Sequence, residues 1–145
     1  MKGENMKCIS LHQPHATWVS VGWKTIETRN HGRYHNLIGQ RIAIHAAKKL
    51  DKNALSYGPF LERMESGVIT SNFAIWMARC MGCIVCTALV SDGKWMPAGT
   101  HDARAMCQMG GKYCLYLTEI KPLSTPLRWK GQQGIFNVPD ELLAQ

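Results

Sequence analysis

The fold is decided by one segment near the start of the chain, CISLHQPHATWVSVGWKTIETR, which spans residues 8–29. Residues 7–11 are apolar enough for a short β-strand. A polar turn follows, and the proline at its end has the fixed φ that suits the first position of a helix, which we expect to end at Gly22. Residues 24–29 alternate as a half-buried strand does. The segment therefore predicts a strand, a turn, a short helix and a second strand.

The rest of the chain adds short strands and a few helices. Further strands are predicted at 41–47, 82–91, 112–121 and 135–138. Helices are predicted from Asp51, a plausible N-cap, to about Met64 with an interruption at Gly58-Pro59, and over 73–81. Residues 92–111 are interpreted as a polar insertion with a short helix around 102–109. Residues 122–134 are interpreted as a loop. About six strands with two or three peripheral helices predict a small mixed α+β barrel.

Length and composition fit one globular domain. The chain has 145 residues, 46% of them hydrophobic, and carries a formal net charge of +7. We expect residues 1–5 to be a disordered leader and 6–145 to form a single domain. No apolar run approaches the roughly 18 residues of a membrane span, and the first residues do not read as a secretory signal. These features predict a cytoplasmic protein with no membrane partner.

The positive charge is concentrated at one end of the chain. Residues 1–52 hold nine Lys or Arg against three acidic residues. Such an excess suits a polyanionic partner, with a generally basic surface as the alternative.

Six cysteines raise the question of a metal site. Cys80, Cys83 and Cys86 are three apart, as in some metal motifs. On a strand, however, Cys83 and Cys86 point to opposite faces, and no later residue completes a standard spacing. We therefore interpret the cysteines as small buried hydrophobes and expect no metal and no cofactor.

Three blocks in order carry a resemblance to a known family. The first is the segment 8–29, the second is RIAIHAAKK at 41–49, and the third is the ending at 116–139. Within the first block the pattern Gly-x-Lys-x-x-Glu-x-Arg is complete. Its residues are Gly22, Lys24, Glu27 and Arg29. This order resembles the ASCH (activating signal cointegrator homology) domain, a branch of the PUA-like β-barrels, and the resemblance covers nearly the whole chain from Met6 to Pro139.

The resemblance implies a β-barrel with a cleft for RNA, single-stranded nucleic acid or a nucleobase. The family includes transcription coactivator domains, amidohydrolases acting on N4-acylated cytidine, and ribonucleases. Our first hypothesis is therefore a nucleobase- or RNA-binding domain with amidohydrolase activity. The alternatives are a non-catalytic nucleic-acid binding module and a metal-assisted ribonuclease.

The candidate catalytic residues are Lys24, Glu27 and Thr25. A carboxylate can activate water, and a lysine can stabilise an oxyanion. Bacterial relatives carry Lys-x-x-Thr, with the threonine as nucleophile, but Glu27 stands at that position here. Thr25, next to Lys24 and on the Glu27 face, is a substitute, and water held by Glu27 is another route. The alternative is an ion-pair network that only fixes the barrel, with Arg29 holding Glu27.

Binding residues are predicted around these three. Gln13 can read a base edge or cap the turn, and Tyr34, beside Arg33, is the preferred stacking residue. His45, in an apolar strand, is expected to be a core histidine. The complete set of predicted binding residues is Gln13, Pro14, Arg29, Arg33, Tyr34, Lys48, Lys49, Lys130, Gly131 and Phe136.

Overall fold

Six strands form one mixed sheet in the computed structural model, which describes residues 3–58, 62, 67 and 71–145. The strands are β1 (Asn5–Gln13), β2 (Ile26–Arg29), β3 (Arg41–Leu50), β4 (Cys83–Trp95), β5 (Tyr113–Arg128) and β6 (Phe136–Pro139). Their order in the sheet is β2-β5-β4-β3-β1-β6. Strands β1 and β3 are parallel, and all other neighbours are antiparallel.

The sheet curls into a half-barrel because its long central strands bend. β4 and β5 pair along most of their length, and three register shifts interrupt their ladder. Such bulges increase the local twist and let a sheet close on itself. With the three α-helices that the described residues form, the predicted small α+β, PUA-like barrel is confirmed.

The deciding segment folds as predicted. After β1, Gln13 and Pro14 are joined by a cis peptide bond, and helix α1 (His15–Ser20) follows. All of α1 after its first residue is buried against the sheet, and β2 then runs antiparallel to β5. Within the stretch interpreted as a leader, Asn5 already pairs with Pro139 of β6.

Two further helices flank the sheet. Helix α2 (Lys52–Leu55) is short and is capped as predicted, since the Asp51 carboxylate accepts from the backbone N–H groups of Asn53 and Ala54. The helix ends at Leu55, with Ser56 as its C-cap, although a helix to about Met64 was predicted. Residues 59–61 and 63–66, which include the predicted interruption at Pro59, lie outside the described residues. Helix α3 (Ser71–Cys80) confirms the helix predicted over 73–81. Among the described residues, no helix is long and apolar enough to cross a membrane.

Two strands are longer than predicted. β5 continues through Pro122 and Pro126, although proline reads as a strand breaker in sequence. The reason is that β2 pairs only with residues 113–116, so the rest of β5 has a free edge where no ladder N–H is needed. β4 likewise extends to Trp95, within the predicted insertion.

The remainder of that insertion packs inward in part, while residues 97–99 and 103–104 stay exposed. It contains a 3₁₀ turn at Ala103–Ala105 in place of the predicted helix. Ala105, Met106 and Met109 are buried, and they close the end of the barrel beside α1 and β2.

Candidate functional site

Two adjoining cavities are lined in part by residues of β1, β2 and β3. The larger, which we call the basic cleft, has a volume of about 1090 Å³. The smaller, which we call the Glu27 pocket, has a volume of about 560 Å³. Four residues line both cavities: Ser10, His12, Arg29 and His31. The two cavities are therefore parts of one site that meet at Ser10 and Arg29.

The lining of the basic cleft is cationic. Its positively charged side chains come from β2, β3, the end of β5 and the loops after β2 and β5: Arg29, Arg33, Lys48, Arg128 and Lys130. Three histidines, two glutamines, Ser10, Tyr34 and Trp129 add further polar groups to its lining. In the described part of the chain no Asp or Glu lines this cleft. Apart from Arg29, whose charge is paired with Glu27, these cations have no carboxylate partner among the described residues.

Two of these cations converge at one glycine. A Cβ placed on Gly82 would lie 2.7 Å from Lys48 Cε and 3.7 Å from Arg128 Nη1. Neither side chain belongs to the ion pairs formed among the described residues. Two unpaired cations held close together attract an anion between them, and a phosphate group has the charge and the acceptors to bridge them.

Lys24, Glu27 and Arg29 form a buried charge cluster under the wall between the cavities. Lys24 is 0% exposed, and its Nζ lies 3.7 Å from Glu27 Oε1. Arg29 Nη2 donates to Glu27 Oε2 at 3.1 Å and to the carbonyl oxygen of Ser10 at 3.0 Å. Of these three residues, Glu27 lines the pocket and Arg29 lines both cavities, whereas Lys24 lies behind them.

The two cations keep the carboxylate ionised. Burial raises the pKa of Glu27, but Arg29, Lys24 and the other surrounding groups outweigh it and leave that pKa below its ordinary value. At neutral pH Glu27 is therefore an acceptor of hydrogen bonds and protons.

The loop between β4 and β5 supplies the other partners of Lys24. Its ammonium donates to the carbonyl oxygen of Ala105 and, at 3.7 Å, to Cys107 Sγ. The same sulfur lies 3.3 Å from Thr28 Oγ1. The buried ammonium is therefore held on several sides, which is the condition for keeping a charge out of water.

A histidine and an aspartate stand at the other side of the Glu27 pocket. His15 Nε2 lies 2.9 Å from Asp51 Oδ2. Burial, reinforced by the Lys24 charge, lowers the pKa of His15 in spite of Glu27 and Asp51. The contact is therefore a hydrogen bond from a neutral imidazole near neutral pH.

A protein of known structure has a similar fold. A mutant of ZmASCH from Zymomonas mobilis, whose crystal structure is solved, superposes with a TM-score of 0.53 over 97% of this chain and 93% of that one, at 14% identity. The chain has the ASCH fold. No family model matches the sequence, and no curated protein matches it. The resemblance inferred from the three sequence blocks is thus supported by the fold.

Within this ASCH fold, half of the predicted site residues meet at the two cavities. Glu27 and Arg29 are joined there by five predicted residues that line the basic cleft: Arg33, Tyr34, Lys130, Gly131 and Lys48. The adjacent Lys49 lines neither cavity, because successive side chains of a strand point to opposite faces.

Other predicted residues serve the framework. Gln13 is fully buried: its Oε1 accepts from the backbone N–H of Thr17, and its Nε2 donates to the carbonyl oxygen of Met77. Gln13 therefore caps the turn, which was the alternative to contacting a base edge. Pro14 is buried beside it, and neither lines a cavity. Thr25 also lines neither cavity; its backbone N–H donates to the carbonyl oxygen of Arg104.

The aromatic residues at and near the cleft differ in how exposed they are. Tyr34 reaches the cleft, but its ring is 5% exposed and the Arg29 guanidinium lies 5.0 Å from the ring centre. Phe136 is buried and packs edge-on against His45. Trp129, which is half-buried and lines the cleft, offers a ring surface on which a base can stack.

The cysteine run lies elsewhere in the fold. Cys80 ends α3 and Cys83 begins β4, and both are buried with Cys86. Burial raises the pKa of Cys80 to about 11, so it stays a thiol. The described residues contain no group of three or more His, Cys, Asp or Glu side chains placed to hold a metal ion.

Several residues that line the site were not predicted from the sequence as site residues. The main ones are Ser10, His12, His15, Asp51, Cys107 and Arg128. The one available signal was topological: if β1 and β3 are parallel neighbours, Ser10 comes to lie opposite His45. His45 is buried, as expected, but it also lines the cleft.

Proposed function

We propose that the protein binds single-stranded nucleic acid, RNA in the first place, in the basic cleft. The observation that carries this proposal is the cationic lining without an acidic residue among the described ones. Phosphates bind along such a track, and release of their counterions drives the association. Trp129 gives a base a stacking surface, and Gln132 and Gln133 offer amide donors and acceptors to base edges. The ASCH fold of the chain supports the same class of ligand.

The test compares two neighbouring lysines. Lys48 and Lys49 are both exposed on β3, but only Lys48 lines the cleft. Binding of a fluorescent single-stranded RNA is measured by anisotropy for the parent, Lys48→Ala and Lys49→Ala. We expect K48A to weaken binding by about tenfold, the effect of one lost charge-assisted phosphate contact, and K49A to bind nearly as the parent does. Equal losses in both variants would assign binding to diffuse surface charge instead of the cleft.

A second candidate function is the hydrolysis of an N4-acylated cytidine at the buried charge cluster. The specific observation is the ionised Glu27 in the wall of a pocket, 3.7 Å from a lysine ammonium. The carboxylate can accept a proton during attack on the amide, and the Lys24 and Arg29 charges are available to negative charge that develops beside it. Thr25 does not line the pocket, so the structure gives no support to it as the nucleophile.

The assay follows the ultraviolet absorbance of N4-acetylcytidine with the parent, Glu27→Gln and Thr25→Ala. We expect turnover by the parent, a loss of at least a hundredfold in E27Q and little change in T25A. Circular dichroism of E27Q checks that the loss is not unfolding. Absence of turnover by the parent with several N4-acylcytidines would leave nucleic-acid binding alone. A separate gel assay of RNA integrity, with and without a chelator, tests metal-assisted cleavage.

A further inference from the structure

A serine, a histidine and a backbone carbonyl form a hydrogen-bonded chain where the two cavities meet. The parallel register of β1 and β3 sets Ser10 opposite His45. Ser10 Oγ lies 3.0 Å from His45 Nδ1, and His45 Nε2 lies 2.8 Å from the carbonyl oxygen of Trp129. The three residues come from β1, β3 and the loop after β5, so tertiary structure alone brings them together.

The chemistry of the three groups fixes where the protons are. A carbonyl oxygen only accepts, so Nε2 of His45 must carry the hydrogen that it donates to Trp129. Nδ1 of the neutral ring is then an acceptor, and the Ser10 hydroxyl must donate to it. This is the arrangement in which a histidine serves as general base to a serine, with a third group that holds the ring and its tautomer.

The surroundings leave the imidazole neutral and the serine within reach of a ligand. Burial lowers the pKa of His45 by more than its hydrogen bonds to the backbone of Trp129 and Gly82 raise it. Ser10 is only partly buried and lines both cavities. The Arg29 guanidinium donates to the carbonyl oxygen of Ser10 and lines both cavities as well, which puts a positive charge beside the Ser10 backbone.

The loop over this pair has no side chain at the point of contact. A Cβ on Gly131 would lie 2.5 Å from His45 Cε1 and 3.1 Å from Ser10 Oγ. Glycine therefore lets the loop backbone pack on the serine and the histidine, and it keeps the nearby space free of a side chain.

We propose that Ser10 is a nucleophile for acyl transfer, with His45 as its general base. Ser10 Oγ attacks the carbonyl carbon of an ester or amide while its proton passes to His45 Nδ1. The bond from that carbon to the leaving oxygen or nitrogen then breaks, and the leaving group takes the proton from His45. Water hydrolyses the acyl-serine in the reverse sense and releases the carboxylic acid. The inference rests on the hydrolytic candidate above for its substrate class, an acylated nucleoside, and it supplies the nucleophile absent at position 27.

The experiment measures the nucleophile without a nucleoside. The parent, Ser10→Ala, His45→Gln and Ser91→Ala are incubated with a fluorescent fluorophosphonate, and adducts are mapped by peptide mass spectrometry. We expect one adduct per parent chain, on Ser10, none in S10A, and labelling at least tenfold slower in H45Q, whose amide still donates to Trp129. S91A is the matched control, because Ser91 Oγ is exposed and donates to a carbonyl, not to a histidine. Its labelling should equal that of the parent.

The outcomes separate this inference from the functions proposed above. Labelling of Ser10 without turnover of N4-acetylcytidine supports the nucleophile and overturns its substrate class. Two results would overturn the assignment of Ser10 as nucleophile: turnover that S10A retains, or no adduct on Ser10 while thermal unfolding shows all variants folded. The hydrogen bonds of Ser10 and His45 would then be only a structural link between β3 and the loop. If S10A binds RNA with the affinity of the parent, the proposal that RNA binds in the basic cleft stands whichever of these results is found.

Discussion

At the scale of single residues, the charge cluster depends on each member for its burial. Lys24 is fully buried, and Glu27 lies between it and Arg29. Removing the carboxylate would leave the ammonium with only neutral partners, the Ala105 carbonyl oxygen and the Cys107 sulfur. A buried charge left without its partner lowers the free energy of unfolding far more than the loss of a surface ion pair does.

Glu27→Ala should accordingly lower the free energy of unfolding by about 3 kcal/mol in urea denaturation, the cost of breaking a buried pair from one side. Arg104→Ala is the matched control, because it breaks the exposed pair with Asp102 and should change stability little. If both variants unfold at the same urea concentration, the cluster is solvated and its assignment as a buried network is wrong.

A second residue-scale prediction concerns pH. Burial lowers the pKa of both His15 and His45, so each takes up a proton more readily in the unfolded chain. Their contribution to stability is complete above the unfolded histidine pKa of about 6.5 and is lost as the pH falls through their folded values. The free energy of unfolding should thus decline below about pH 6.5, before the carboxylates titrate. His45→Gln should flatten that decline.

At the scale of elements, alternation and capping carried most of the prediction. The strand, turn, helix and strand of residues 8–29 follow from patterns within a few residues, and so does the Asp51 cap of α2. The extension of β5 past Pro122 could not be read locally, because it depends on β2 being too short to use that edge. The inward packing of Met106 depends likewise on the space beside α1.

The site likewise contains residues that local sequence patterns predict and residues that only distant contacts bring together. Glu27 and Arg29 were found because one strand presents them at spacing two, and Lys24 because it completes a motif with them. Ser10, His45 and Trp129 belong to three distant segments, and only the parallel pairing of β1 with β3 and the return of the loop bring them together. Local sequence holds no record of such a contact.

The loop after β5 should be sensitive to a single methyl group. A Cβ at Gly131 would meet the His45 ring at 2.5 Å, and that ring is fixed by two hydrogen bonds. Gly131→Ala should therefore cost about 1–3 kcal/mol, as overpacking does, in thermal or urea unfolding. Gln132→Ala, at the exposed neighbouring position, should cost little. Equal stability of G131A and the parent would mean that the loop does not rest on His45.

At the scale of the whole molecule, the fold gathers cations from distant parts of the chain onto one face. Arg33 follows β2, Lys48 lies near the end of β3, and Arg128 and Lys130 lie at the end of β5 and just after it. The sequence shows an excess of basic residues at its start, but half of these four come from its last fifth. The curl of the sheet, not the linear distribution of charge, therefore produces the cleft.

That gathering predicts the salt dependence of RNA binding. Each phosphate contact on a single strand contributes about −0.7 to the slope of log K against log salt, so four unpaired cations give a slope of about −3. Between about 50 and 200 mM salt the affinity should then fall by about 50-fold, and by only about 20-fold for Lys48→Ala. Lys49→Ala keeps the parent slope, because its side chain is off the cleft. A slope near zero in the parent would show that the ligand carries no phosphate in this cleft, and it would favour a neutral nucleoside at the Glu27 pocket.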